Sequence, residues 1–169
     1  PDHVTAIGRE AFYGCTGMTA INTGSNVTVI GYSAFSACHS LTTLVIAAPV
    51  REIGSWAFAN CRGLKTLRIE TGPLTIGSRA FAGCEALQQV SLDERIVLSE
   101  DLVFAKCTSL KQIHLPKATT EIPASTFEDC TALERISFGS PLLAIGNRAF
   151  MGCTALTGFE IPGTVRTLG

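Results

Sequence analysis

The sequence predicts an α/β chain of the strand-rich kind with little helix. Its expected form is a right-handed solenoid of seven 23-residue repeats, with a parallel sheet on the concave side and short 3₁₀ or helical turns on the convex side. Three observations predict it. A cysteine recurs every 23 residues, at Cys15, Cys38, Cys61, Cys84, Cys107, Cys130 and Cys153, with no insertion or deletion. The phenylalanines Phe12, Phe35, Phe58, Phe81, Phe104, Phe127 and Phe150 keep the same step. Each unit then closes on an L-x-x-I-x-I run, whose alternate residues face one side at the period of a strand.

One unit reads I-G-x-x-A-F-x-x-C-x-x-L-x-x-I-x-I, followed by looser residues. The opening column is Ile7, Ile30, Ile53, Ile76, Ile122 and Ile145, broken at Ser99. Gly8, Gly31, Gly54, Gly77 and Gly146 follow it, but the same slot holds Pro123 and Glu100. Proline fixes φ near −65°, so the slot has an ordinary negative φ, and its glycines serve close backbone packing or a tight bend. The A-F-x-x-C-x-x-L stretch, spaced by three, suits a 3₁₀ or single helical turn. The strand column Ile21, Leu44, Leu67, Val90, Ile113, Ile136 and Phe159 is always apolar. A single unit cannot bury its own apolar stripe, and stacking fuses the stripes into one core.

This register resembles the BspA-like (Treponema-type) class of leucine-rich repeats, over the whole chain. Ordinary leucine-rich repeats carry an Asn after the last strand Leu. The matching slots here hold Asn26, Pro49, Gly72, Arg95, Ala118, Pro141 and Thr164, and the absence of that Asn ladder is what the class implies. The resemblance implies a protein-interaction or adhesion module presenting its concave sheet to a protein partner. Similar repeats occur in surface proteins of bacteria and of parasitic or commensal protists, which favours a cell-surface or secreted setting. An intracellular scaffold arm of a large assembly, or a targeting domain attached to an enzyme elsewhere in the parent chain, are the alternatives. Unpaired cysteines are compatible with an intracellular setting. The chain opens PDHV without a start methionine, and residues 1–169 read as a single array. They are expected to be a piece of a longer protein that lacks both capping units.

Bulk composition narrows the partners. The 169 residues are 46% hydrophobic and 16% charged, with a formal net charge of −1. There is no basic excess to track phosphates, so nucleic acid is not an expected partner. No apolar run approaches the roughly 18 residues of a membrane span, so no membrane insertion is expected.

The cysteine column has four possible uses. A disulfide needs a suitable Cα separation and suitably directed side chains. Stacked cysteines in register meet the first condition but not the second, and seven is an odd number. A metal site needs clustered ligands, and no two cysteines lie closer than 23 residues. A reactive thiol needs exposure and a cationic neighbour, whereas the repeated neighbours are Phe and Leu. The remaining reading is that all seven are buried, reduced thiols acting as small hydrophobes. No metal, cofactor or catalytic residue is expected. His3, His39 and His114 occupy three different repeat positions, and no nucleophile elbow, P-loop or H-E-x-x-H occurs. Asn26-Val27-Thr28 is a formal glycosylation sequon in a turn.

The x positions of the strands point outward onto the concave face. In the middle coils they give Lys65, Arg68, Gln88, Gln89, Lys111, His114 and Arg135, a mildly basic polar strip. That strip is the candidate partner-binding surface, or else a sheet face that is simply solvated. Trp56, Tyr13 and Tyr32 stand in variable convex slots, as binding aromatics or as half-buried surface residues. The stretch DERIVLSEDLVF at 93–104 is the irregular coil, either a partner-specific bump or neutral drift within a redundant array.

Overall fold

The computed structural model describes residues 3–47 and 49–169. The first units contribute β1 (Ala6–Ile7) and β2 (Val29–Ile30), after which long and short strands alternate: β3 (Thr43–Ile46), β4 (Glu52–Ile53), β5 (Thr66–Ile69), β6 (Thr75–Ile76) and β7 (Gln89–Leu92). Then come β8 (Gln112–Leu115), β9 (Glu121–Ile122), β10 (Arg135–Phe138), β11 (Ala144–Ile145) and β12 (Thr167–Leu168). The long strands are the expected L-x-x-I-x-I runs. The short ones are a second parallel wall, built on the Ile that opens each unit. All pairs are parallel and in register, Leu44 beside Leu67 and Ile30 beside Ile53, so each pairing repeats the sequence step. Residues 19–23 and 157–161, the equivalents in the first and last units, form no strand.

The inward residues of β3, β5 and β8 are buried and the outward ones exposed, apart from the half-buried Thr66, as the period-2 pattern dictates. Behind them runs a column of stacked rings. From Phe12 to Phe150 successive centroids lie 5.0, 5.3, 5.6, 5.7, 6.0 and 5.7 Å apart, with interplanar angles of 12° or less. Phe35, Phe58, Phe81, Phe104 and Phe127 are completely enclosed. Each such ring is worth about 1.5–3 kcal/mol of burial, and the column adds to the cohesion that the buried Ile and Leu columns supply between coils.

The convex segment spaced by three is a chain of turns, and the described residues contain no helical or 3₁₀ segment. The reason lies in the backbone. Two slots per coil have left-handed φ. One holds Glu10, Ser33, Trp56, Arg79, Leu102, Ser125 and Arg148, with φ between 50° and 61°. The other holds Gly14, Ala37, Asn60, Gly83, Lys106, Asp129 and Gly152. Left-handed residues interrupt a right-handed helix and turn alternate amides outward along the array. Thus Glu10, Phe12 and Gly14 donate to the carbonyls of Tyr32, Ala34 and Ser36 in the next coil, while Tyr13 and Cys15 bond three residues back. The Gly column beside Ile behaves as expected: none of its glycines has positive φ. A Cβ on Gly54 would lie 2.8 Å from the Gly31 carbonyl carbon and the Tyr32 nitrogen, so close backbone approach is what excludes a side chain.

Counting coils from the Ile position, coil 5 begins at Ser99, and both sheets break there. The long sheet divides into β3-β5-β7 and β10-β8, the short one into β1-β2-β4-β6 and β12-β11-β9. Two prolines sit at the break. Glu70, Asp93 and Gly139 each donate a backbone N–H to the preceding coil's carbonyl, but the equivalent residue of coil 5 is Pro116, which has no donor. Gly31, Gly54, Gly77 and Gly146 do the same in the short sheet, and the equivalent of coil 6 is Pro123. Side chains replace the missing bonds. The buried Thr119 hydroxyl donates to the Ile96 carbonyl at 3.0 Å and accepts from the Leu98 amide at 3.1 Å. Glu94 accepts from the Lys117 amide at 2.9 Å, and Asp101 from the Ala124 amide at 3.1 Å. The convex turn ladder crosses the break intact, from Phe81 to Val103 and from Phe104 to Thr126.

Candidate functional site: the concave groove

The seven cysteines are free thiols. Cys38, Cys61, Cys84, Cys107 and Cys130 are buried, but Cys15 and Cys153 are only half-buried. The expectation of seven buried thiols is corrected at the outermost coils, which have a neighbour on one side only. The slot is also more than a hydrophobic filler. Each thiol from Cys38 to Cys153 donates to the carbonyl of the Phe 26 residues earlier, at 3.1–3.4 Å. Burial pushes the Cys61 and Cys130 thiols up to about 12, and those of Cys84 and Cys107 well above the ordinary range. Thiols held in this state are neutral and unreactive at physiological pH.

The concave face carries a groove of about 790 Å³ crossing β5, β7, β8, β10 and residues 156–160 of the last coil. Of the residues expected to form the strip, Arg68, Gln88, Gln89, His114 and Arg135 line it. Lys65 and Lys111 do not; each stands just ahead of a strand, β5 or β8, exposed at the groove's edge. The strip is less basic than its lysines and arginines suggest. Arg68 pairs with Glu70 at 2.6 Å, and His114 lies 3.7 Å from Glu94 while its Nδ1 meets Ser137 Oγ at 2.9 Å. Such exposed pairs are weak. Lys65, Lys111 and Arg135 have no ion pair among the described residues. Glu134 and Glu160 also line the groove, at its far end, together with the half-buried Ile136, Phe138, Leu156 and Phe159. Composition reasoning missed this apolar recess. Its sequence signal is Gly158, which leaves empty the slot occupied by Gln112 and Arg135 in earlier coils.

Outside the groove, Trp56 is half-buried beneath the Arg79 guanidinium at 5.1 Å, and Tyr32 lies under Arg9 at 4.6 Å. Both are cation–π pairs. Tyr13 is 61% exposed with no such cover. In the irregular stretch, Arg95 clamps both oxygens of Asp93 at 2.8 and 2.9 Å, and these side-chain hydrogen bonds hold the carboxyl down to about 2. Together with Glu94 and Asp101, these charges bind the array to itself. Among the described residues, no group of three or more His, Cys, Asp or Glu is placed to hold a metal ion, and no helix is long and apolar enough to cross a membrane.

The comparisons agree with this geometry. The chain matches the family described as BspA type leucine rich repeat region, in six copies, over residues 1–96 and 64–169. A leucine-rich repeat protein from Bacteroides ovatus superimposes with a TM-score of 0.90 at 32% identity, covering 100% of this chain and 44% of that one. A leucine rich cell surface protein from Faecalibacterium prausnitzii gives 0.65 at 32%, covering 99% and 52%. The T. pallidum leucine rich repeat protein gives 0.77 at 25%, covering 92% and 75%. This chain therefore spans less than half the length of the Bacteroides protein it resembles. No curated protein matches at a significant level. A seven-fold register, a stacked Phe column, two parallel walls and a matching family profile along the whole length place the chain in one family: it belongs to the BspA-type leucine-rich repeats.

Proposed function

We propose that this chain is a protein-interaction or adhesion module whose partner docks on the concave groove. The observation that carries the reading is the groove itself, which gathers Arg68, Gln88, Gln89, His114 and Arg135 on one face. Leucine-rich repeats are in general protein-interaction modules, and extended concave faces are where solenoids bind. A cell-surface setting is supported by the likeness to the Faecalibacterium cell surface protein. The test is a pull-down with wild-type protein, with Arg68→Glu plus Arg135→Glu, and with Trp56→Ala on the convex side. Both arginines are exposed, so the double variant retains the fold. Loss of partner recovery in the double variant alone supports the concave reading. Undiminished recovery removes that face from consideration, and loss in Trp56→Ala alone moves the site to the convex side.

A further inference from the structure

We infer that the groove takes an extended polypeptide segment in one orientation: an acidic end over the middle coils, an apolar anchor in the recess by Gly158, and a basic residue beyond it. The inference rests on the concave reading above and specifies the form of the partner.

Length comes first. The groove crosses from coil 3 to coil 7, four inter-strand steps of roughly 4.8 Å each, or about 19 Å, which an extended chain covers in about six residues. The lining fits a main chain. Gln88, Gln89 and Gln112 line the strip, and each side-chain amide offers both donors and an acceptor. A peptide backbone offers one donor and one acceptor per residue, so amide-bearing walls satisfy it without selecting side chains.

Polarity supplies the orientation. Lys65 and Lys111, which have no ion pair among the described residues, place positive charge on coils 3 and 5 at the groove's edge, while Arg68 is paired with Glu70. On coil 6 the charge of Glu134 is offset by its neighbour Arg135, and Glu160 places negative charge on coil 7, beside the apolar recess. A segment whose charges run the opposite way is favoured, and a reversed one meets like charges at both ends. The recess supplies the anchor. Ile136, Phe138, Leu156 and Phe159 are half-buried and line the groove together with Gly158. An apolar side chain placed there completes burial that the array leaves unfinished.

The test is fluorescence anisotropy with labelled peptides. The probe is Asp-Asp-Gln-Ser-Gln-Phe-Lys, made in both chain directions. It is compared with a scrambled control of the same composition and with a neutral heptasaccharide. One direction of the ordered peptide is expected to bind roughly tenfold more tightly than the scramble. Gly158→Trp should remove that advantage. Nothing lies within 4 Å of the position where a Gly158 Cβ would sit, so the indole enters the open end of the groove without a clash at its Cβ. Lys65→Glu plus Lys111→Glu should weaken the ordered peptide and spare the scramble. Equal binding of ordered and scrambled peptides overturns the inference, as does ordered binding that survives Gly158→Trp, or preference for the saccharide. If no peptide binds while Arg68→Glu plus Arg135→Glu still abolishes partner recovery, the concave reading stands and the extended segment alone falls.

Discussion

The thiol of Cys84 donates to the main-chain oxygen of Phe58 at 3.3 Å, and the same oxygen accepts the amide of Cys61. One carbonyl thus receives a bond from its own coil and one from the next, so the Phe and Cys columns lock together. Cys84→Ala removes the second bond and leaves a small void, at an expected cost of about 1–3 kcal/mol. Urea denaturation measures it. Thiol labelling of the folded protein should modify Cys15 and Cys153 first and the five buried cysteines only on unfolding. Rapid labelling of Cys84 in the native state would contradict the buried ladder.

Alkaline pH should unfold the array steeply. The folded-state pKa values of Cys61, Cys84, Cys107 and Cys130 are raised by burial, whereas in the unfolded chain a thiol titrates near 8.5. Below that value both states hold the proton and the full stability is present. Above it the unfolded chain releases protons that the folded chain retains. The equilibrium therefore shifts toward unfolding by roughly tenfold per pH unit for each such thiol, until pH passes the folded values. Denaturation midpoints between pH 7 and 10 read this directly, and Cys84→Ser should reduce the slope by one proton.

Thr119→Val should be costly despite its near-identical shape. The hydroxyl is the shared partner of the Ile96 carbonyl and the Leu98 amide in a fully buried site. Valine strands both, at about 1–3 kcal/mol each for groups left unsatisfied. The loss should show as lower stability together with faster amide exchange at Leu98.

Lys106→Gly should stabilise the protein. Lys106 has φ of 61° in the column that holds Gly14, Gly83 and Gly152. A left-handed residue with a side chain costs roughly 1–2 kcal/mol, and the entropic penalty of glycine offsets part of that. A gain of about 0.5–1 kcal/mol is expected by thermal or urea unfolding. Gly83→Ala should do the reverse, because its new Cβ meets the Asn60 Oδ1 atom as well as the backbone strain. An unchanged stability for both would refute the strain argument.

These cases show how the fold was and was not legible in the sequence. Phe81, Cys84 and Leu87 repeat in strict register, and register alone fixes stacking, strand direction and burial. The short wall hid in plain view: a two-residue strand such as β4, Glu52–Ile53, is too brief to show periodicity. One left-handed column could have been read from Gly14, Asn60, Gly83, Asp129 and Gly152, since these are residue types that tolerate such φ. The other holds Trp56, Arg79 and Leu102, which advertise nothing. The thiol–carbonyl bonds and the Thr119 bridge join residues more than 20 positions apart and have no local signature. Within the groove, the outward polar residues followed from strand alternation. The contacts of Arg68 and His114 depend on Glu70 and Glu94, which lie beyond the x positions.

The convex turn ladder has an electrical consequence. Glu10, Phe12 and Gly14 all point their amides toward the following coil, and so do Ser33, Phe35 and Ala37 and their successors as far as Asp129. Each interface adds aligned peptide dipoles in a single sense. The wall is therefore a polar rod, with its positive pole toward the last coil, opposite to the sense of an α-helix along its chain. Adding coils lengthens the rod rather than cancelling it. Acidic groups are thus favoured at the far end of the convex side and basic ones at the near end, where Arg9 already stands.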